Sequence, residues 1–116
     1  MPLSFDDFTK ALIAQLTEAE RQGGVAYAAK RRLRAGTPIQ LPGTRIEVPT
    51  EAYLGFIDRE PGANWGHAAR YVLVSRVNGE IRSLEVRLPP FGSRGTLRWH
   101  VVYHAPCVPE TAVENP

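Results

Sequence analysis

Cysteine is nearly absent from this chain: Cys107 is the single one among 116 residues. An internal disulfide is therefore excluded, and a cytoplasmic location is expected for such a chain. The N-terminus carries Asp6 and Asp7, where a secretion signal would carry basic residues. No apolar run approaches the roughly 20 residues that cross a bilayer. We therefore expect a protein that does not enter a membrane.

Lysine is the second scarce residue, since two lysines stand against twelve arginines. The planar guanidinium group of arginine pairs well with carboxylates and phosphates. The same bias, together with frequent Ala, Gly and Pro, is also typical of a GC-rich bacterial genome, which is our preferred interpretation. The net charge of +2 is too small to require an anionic partner.

Recognisable catalytic motifs are missing as well. The chain has no glycine-rich phosphate loop and neither a G-x-S-x-G nor an H-E-x-x-H motif. The carboxylates are dispersed, so their spacing does not indicate a pair for acid–base catalysis. We expect no cofactor, and no residue is assigned a catalytic role.

A cluster of ligand-type residues follows position 66, and it consists of His67, His100, His104 and Cys107. These four could bind zinc. However, His100 and His104 on one strand would point the same way but lie about 13 Å apart, at ~3.3 Å per residue. The thiol of Cys107 could instead pair with a histidine oriented by Asp58, although no helix N-terminus near Cys107 is predicted to lower its pKa. A zinc protein or a small hydrolase stays an alternative.

The first 24 residues predict an amphipathic helix from Ser4 to Gln22. Ser4 is a good N-cap, and Gly23-Gly24 would end the helix. The apolar residues that recur at helical spacing are Phe5, Phe8, Leu12, Leu16 and Ala19. This stripe requires a surface to pack on, and a β-sheet is the available candidate.

Residues 25–50 contain a basic segment and a connector. The alanines and basic residues of Val25–Arg34 favour a second helix, while a short strand through Val25, Tyr27 and Ala29 is the alternative. Lys30–Arg34 is the densest basic run and could follow a phosphate backbone, so a nucleic-acid binder is a further functional alternative. Within the connector, Arg45–Val48 alternates as a short edge strand does.

Residues 51–106 predict a four-stranded antiparallel meander. The strongest local signal is Asn78-Gly79, which favours a tight hairpin between the second and third strands. The strands are predicted at Glu51–Arg59, Ala68–Val77, Glu80–Leu88 and Thr96–Ala105. Residues 107–116 are expected to be a tail.

One or two helices before a meander predict a single α+β domain covering residues 1–116. Cystatin-like folds, which wrap a meander around one helix, share this order. The closing strand Trp99–His104 is similar to the Trp-then-His closing strand of nuclear-transport-factor-2-like folds. That resemblance implies a cone with an internal pocket, although this chain has room for fewer helices than usually open that fold.

The predicted binding surface is formed by two loops of the meander. Trp65 lies in the first loop and Phe91 in the third, and these two connections leave a meander at the same end. The candidate binding residues are Arg59, Asn64, Trp65, His67, Phe91 and Arg94. Aromatic side chains edged by arginines are typical of the centre of a protein interface. The sequence therefore predicts a small interaction module with an unidentified protein partner, unless both aromatics fold inward and cap the core.

Overall fold

The computed structural model describes residues 2–61, 68–90, 97–109 and 112–113. In these ranges the chain forms two helices and seven strands, in an α+β fold, as predicted. The elements are α1 (Phe5–Ala14), α2 (Glu18–Gly23), β1 (Val25–Leu33), β2 (Pro38–Leu41), β3 (Thr44–Glu47), β4 (Ala52–Asp58), β5 (Ala69–Ser75), β6 (Ile81–Val86) and β7 (Trp99–His104). Neither helix is long and apolar enough to cross a bilayer.

The helix predicted over Ser4–Gln22 is divided into two. Ser4 caps α1 as expected, because its hydroxyl accepts a hydrogen bond from the amide of Asp7 at 3.1 Å. Thr17 then caps α2, and the carboxylate of Glu20 accepts from the amide of Thr17 at 2.8 Å. This reciprocal capping box starts a new helix inside the predicted one. The continuous-helix prediction is therefore wrong at Thr17, although the Thr-x-x-Glu signal was present in the sequence.

The ambiguous segment after Gly24 is a strand. β1 pairs with β4 on one side and with β7 on the other, both antiparallel. Its first five residues are all buried. Burial between two neighbouring strands outweighs the helix propensity of its alanines, because propensity is a weak preference that tertiary packing overrides.

The main sheet of the described residues has the strand order β6-β5-β4-β1-β7. The meander prediction is confirmed for β4, β5 and β6 but is wrong for the closing strand. β7 pairs with β1 at the far edge of the sheet. The predicted meander did not include β1, which lies between β4 and β7. The predicted short strand at Arg45–Val48 exists as β3, and it pairs with β2 in a separate hairpin. Neither the cystatin-like nor the nuclear-transport-factor-2-like arrangement is confirmed.

The helix α1 packs on one face of the sheet at a strip of small residues. Ala26, Ala28 and Gly55 lie on this face, beneath the fully buried side chains of Phe8 and Leu12. A Cβ atom built on Gly55 would lie 2.7 Å from both methyl carbons of Leu12. The close approach of the helix to the sheet therefore requires glycine at this position.

The hairpin β2–β3 lies against the opposite face. Its turn holds Pro42 and Gly43, and Gly43 has a φ of 73°, which glycine adopts without steric cost. Leu41 and Val48 are buried there in the same core as the aromatic side chains of the sheet. The sheet is thus covered on both faces, which explains why every residue of β4 and β5 is buried.

The contact between Gly55 and Leu12 gives a test of this packing. We expect Gly55→Ala to lower the free energy of unfolding by about 1–3 kcal/mol, because the new methyl group overpacks the helix–sheet contact. Leu12→Ala should cost about 2–5 kcal/mol by leaving a cavity. In the double variant, the cost of the alanine at position 55 should shrink, since the clashing side chain is gone.

Urea unfolding of the single and double variants measures these values. Gly23→Ala is the matched control, because no atom lies within 4 Å of a Cβ atom built there. Strictly additive costs in the double variant would contradict the proposed contact.

Candidate functional site

The site lies at one end of the main sheet, which we call the loop end. A row of cross-strand neighbours marks it, formed by Val86, Ala69, Asp58, Val25 and His104. The connection from β4 to β5 leaves and returns here, and the long connection from β6 to β7 starts here. The opposite end, which we call the turn end, carries the turn Val77–Gly79 between β5 and β6.

Of the six predicted binding residues, the structure describes Arg59. Arg59 follows β4 at the loop end, and its amide donates to the carbonyl oxygen of Ala68 at 3.3 Å. The other five predicted residues lie outside the described ranges, and they are Asn64, Trp65, His67, Phe91 and Arg94. The connection from β6 starts at the loop end. It leads to β7, which begins with Trp99 opposite Ala29 at the other edge of the sheet. That Trp65 and Phe91 share one rim stays a prediction.

Arg59 is held between two carboxylates. Its Nε donates to Oε2 of Glu20 at 2.8 Å, and its two Nη atoms donate to the carboxylate of Glu85 on β6. The pairing with Glu85 and then Glu20 raises the pKa of Arg59 against the opposing effect of burial. The Arg59 side chain is 30% exposed. It joins α2, the end of β4 and the edge strand, while part of its surface stays open to solvent.

Glu20 and Arg70 form a buried ion pair beneath Arg59. The Nε atom of Arg70 donates to Oε2 of Glu20 at 3.0 Å, and Nη2 donates to Oε1 at 2.9 Å. The remaining donors of Arg70 reach the carbonyl oxygen of Gln15 at 2.8 Å and the hydroxyl of Ser83 at 3.1 Å. Both charged side chains are therefore buried with partners, which is the condition for burying charge without a large penalty.

The hydrogen bonds to Glu20 control its ionisation. Burial alone would raise the pKa of this carboxyl group. Hydrogen bonds from Arg70, the amide of Thr17 and Arg59 outweigh that effect and lower the pKa to about 2. The carboxylate is thus ionised across the pH range in which proteins usually work. We call the four side chains Glu20, Arg59, Arg70 and Glu85 the ion-pair network.

Sequence reasoning missed Glu20 and Arg70. Two signals could have found them. Glu20 is the third helical residue after the N-cap Thr17. In a capping box, the carboxylate at this position is directed toward the backbone amide of the N-cap residue. Arg70 is charged within the otherwise apolar run Ala69–Val74, and a charge in a buried strand requires a partner.

A row of aromatic side chains crosses the face opposite α1. Tyr71, Phe56 and Tyr27 are direct cross-strand neighbours on β5, β4 and β1. Trp99 of β7 lies 6.3 Å from Tyr71 between ring centroids, although a flat sheet would separate their strands by about 14 Å. The sheet is therefore strongly curled, and these rings fill its concave face.

Tyr71 carries a buried polar atom inside that concave face. Its residue is 1% exposed, and its hydroxyl has no hydrogen-bond partner among the described residues. Burial raises the pKa of Tyr71 above its ordinary value. A buried phenol normally has a hydrogen-bond partner. In the arrangement that the structure describes, burial of this hydroxyl without one therefore lowers the stability of the folded state.

The histidines on β7 do not lie on one face of the strand. His100 is the neighbour of Ala28, which faces α1, whereas His104 is the neighbour of Val25 on the concave face. A β-bulge between these positions shifts the register and reverses the alternation. The prediction that both side chains point the same way is therefore wrong.

Cys107 and His104 each contact a backbone carbonyl oxygen. The thiol donates to the carbonyl oxygen of Gln22 at 2.9 Å. Nδ1 of His104 lies 3.0 Å from the carbonyl oxygen of Ala105. Within the described part of the chain, no three His, Cys, Asp or Glu side chains are grouped as metal ligands. His67 lies outside that part.

The basic run Lys30–Arg34 lies at the turn end of β1, far along the strand from the loop end. Lys30, Arg31, Arg32 and Arg34 are all exposed, while Leu33 between them is buried. Lys30 stacks on the ring of Phe5, with its Nζ atom 5.9 Å from the centroid. Binding of nucleic acid by this run stays a prediction.

Comparison with known proteins found no similar protein. No protein-family model matches it, and searches of curated proteins and of solved structures found no match.

The ion-pair network predicts how stability depends on pH. Because the pKa of Glu20 is about 2 in the folded protein and 4.5 is its ordinary value, its stabilising contribution is complete above about pH 4.5. That contribution is lost as the pH falls toward 2. We expect Glu20→Gln to lower the unfolding free energy at pH 7 by about 3–5 kcal/mol, since Arg70 is left buried without its anion. The variant should also lose less stability between pH 4.5 and pH 2 than the unmodified protein.

Chemical denaturation at pH 7, 4.5 and 3 measures both effects. Glu85→Gln is the control, because Glu85 also binds Arg59 but its side chain is 66% exposed. Removing an exposed partner should cost at most about 1 kcal/mol. Equal costs for the two variants would contradict the distinction between buried and exposed carboxylates.

The hydroxyl of Tyr71, which has no hydrogen-bond partner among the described residues, gives a further test of stability. Tyr71→Phe removes the polar atom and keeps the ring, so we expect stability to stay level or to rise by up to about 1–3 kcal/mol. Thermal and urea unfolding would measure the change. Tyr53→Phe on the helix face serves as the comparison. A loss of more than about 1 kcal/mol would reveal a partner for the Tyr71 hydroxyl and contradict its isolation.

Proposed function

We propose that this protein is a small interaction module that binds another protein at the loop end of its sheet. The observation that carries the proposal is the ion-pair network. Glu20 and Arg70 are buried and Arg59 is half-buried, and these three hold the end of β4 and the start of β5 to the helix α2. Arg59 also reaches the exposed carboxylate of Glu85 at the end of β6. Binding residues are commonly found on loops that a rigid scaffold positions.

The two connections that start at this end carry the residues suited to an interface. By sequence, the first contains Trp65 and the second contains Phe91 and Arg94. Leu88, near the start of the second connection, is 43% exposed. Large aromatic side chains with neighbouring arginines supply much of the binding energy in protein interfaces. We propose that Arg59, with its partly open guanidinium group, contributes at the edge of this surface.

The alternatives receive less support from the geometry. His100 and His104 lie on opposite faces of β7, and Cys107 is bonded to a backbone carbonyl group. A zinc centre that used both histidines would therefore take ligands from opposite faces of one strand. We also propose a cytoplasmic protein, since its one cysteine is an exposed free thiol, and a bacterial one, since arginine strongly outnumbers lysine in its composition.

Affinity capture from extracts of the native host tests the proposal. We expect Trp65→Ala and Phe91→Ala to keep their unfolding free energy within about 1 kcal/mol and to lose most of the captured partner. Val77→Ala is the matched control, because Val77 is a large apolar side chain, 71% exposed, at the turn end. It should retain the partner.

Stability and capture are measured on the same preparations. If either aromatic variant is strongly destabilised while its folded fraction still holds the partner, these side chains cap the core and the interface proposal fails. Equal loss of partner in the Val77→Ala control would place the binding surface elsewhere.

A further inference from the structure

The strand β6 is an open edge of the main sheet. Five of its six residues are exposed and the sixth is half-buried, whereas every residue of the neighbouring β5 is buried. No strand of the described ranges pairs with its outer side. Ile81 at the start of the strand and Leu84 in its middle are 38% and 40% exposed.

The backbone of β6 presents hydrogen-bonding groups on that side. The carbonyl oxygen of Glu80 accepts from the amide of Ser75 at 2.9 Å, so position 80 is directed toward β5. Because the direction alternates along a strand, Ile81, Ser83 and Glu85 direct their amide and carbonyl groups outward. Such a row is a template for another strand.

The other edge of the sheet is less suited to pairing. β7 contains the bulge described above, and bulges are a common protection of edge strands. β6 pairs with β5 without a register shift from Ala69–Val86 to Val74–Ile81. Its regular backbone leaves an unbroken line of three outward positions.

We propose that β6 pairs antiparallel with β6 of a second copy of this chain, in a register centred on Leu84. A two-fold axis perpendicular to the sheet relates the strands, so residues that face each other must lie on the same face of the sheet. The numbers of two facing residues therefore add up to an even number. In this register Ser83 faces Glu85 of the second copy, and Glu85 faces its Ser83. The outward amide and carbonyl groups of these residues then form hydrogen bonds between the two strands. The two sheets become one.

The side chains favour this register over its neighbour. Centred on Leu84, the two exposed Leu84 side chains lie directly opposite each other, in a pair whose Cβ atoms are about 4.5–5.5 Å apart. Centred on Ser83, each Leu84 would instead face the charged Arg82 of the second copy, while Ile81 faces a charged residue in either register, Arg87 in the first and Glu85 in the second. The Leu84 register therefore buries apolar surface against apolar surface.

The charges of the strand fit a second copy. Glu80 and Glu85 balance Arg82 and Arg87, so the strand is neutral and two copies do not repel through net charge. The Glu85 side chains approach each other diagonally, but each is already paired with Arg59 of its own chain. No like charges lie directly opposite in this register. The second copy is therefore the occupant that the strand's own charge pattern suits.

The test is a charge exchange at position 84. We expect the unmodified protein to form a dimer that dissociates on dilution, as followed by sedimentation velocity. Leu84→Lys and Leu84→Glu should each raise the dimer dissociation constant at least about tenfold, because like charges would lie directly opposite. An equimolar mixture of the two variants should restore dimerisation. Val77→Lys, at an exposed position outside the strand, should dimerise as the unmodified protein does.

Covalent trapping provides the second measurement. In a Cys107→Ser background, Leu84→Cys should form an intermolecular disulfide under mild oxidation, since facing Cα atoms of a non-hydrogen-bonded antiparallel pair lie about 4.5 Å apart, within the range of a disulfide. Val77→Cys in the same background should not. A monomer at every concentration, or a Leu84→Lys variant that dimerises unchanged, overturns the proposal. Capture of a protein partner by such a monomer would leave the proposed loop-end function standing, so the two failures are distinguishable.

Discussion

The ion pair between Glu20 and Arg70 is the constraint on which the loop end depends. A buried carboxylate is tolerated because two arginines and the amide of Thr17 donate to it. The same contacts join α2 to β5 and, through Arg59, to β6. An arrangement of this kind restricts geometry more than it adds stability, since a buried ion pair can be replaced by apolar residues at little net cost. Its effect here is to hold the bases of two connections in fixed relative positions.

The two faces of the sheet follow different packing rules. On the helix face, Ala28 and Gly55 are small because the side chain of Leu12 requires their space. On the concave face, the large side chains of Tyr27, Phe56 and Tyr71 pack with aliphatic residues and with the hairpin in the volume that the curled strands enclose. The first five side chains of β1 are buried on both faces of the sheet. Its sequence therefore shows neither the alternation of a half-exposed strand nor the apolar stripe of a helix.

The molecule offers two surfaces of different character. The loop end combines a rigid base with connections of irregular sequence, which suits recognition by side chains. The outer side of β6 offers backbone groups and two exposed aliphatic residues, which suits pairing by main-chain hydrogen bonds. Arg59 links these surfaces, because it binds Glu85 on the edge strand and lies at the base of the connection that contains Trp65.

Local sequence determined the elements whose cause is local. Ser4 caps α1 and Asn78-Gly79 turns β5 into β6, because a cap or a turn depends on neighbouring residues. The apolar run after Glu51 also predicted a strand, although its burial depends on the helix and the hairpin that cover the sheet. The capping box at Thr17 and Glu20 was equally local and could have been found. Tertiary structure decided the rest. That Val25–Leu33 is a strand, that Trp99–His104 pairs with it across the sheet, and that Glu20 meets Arg70 depend on contacts between residues far apart in the chain, where packing energy exceeds local propensity.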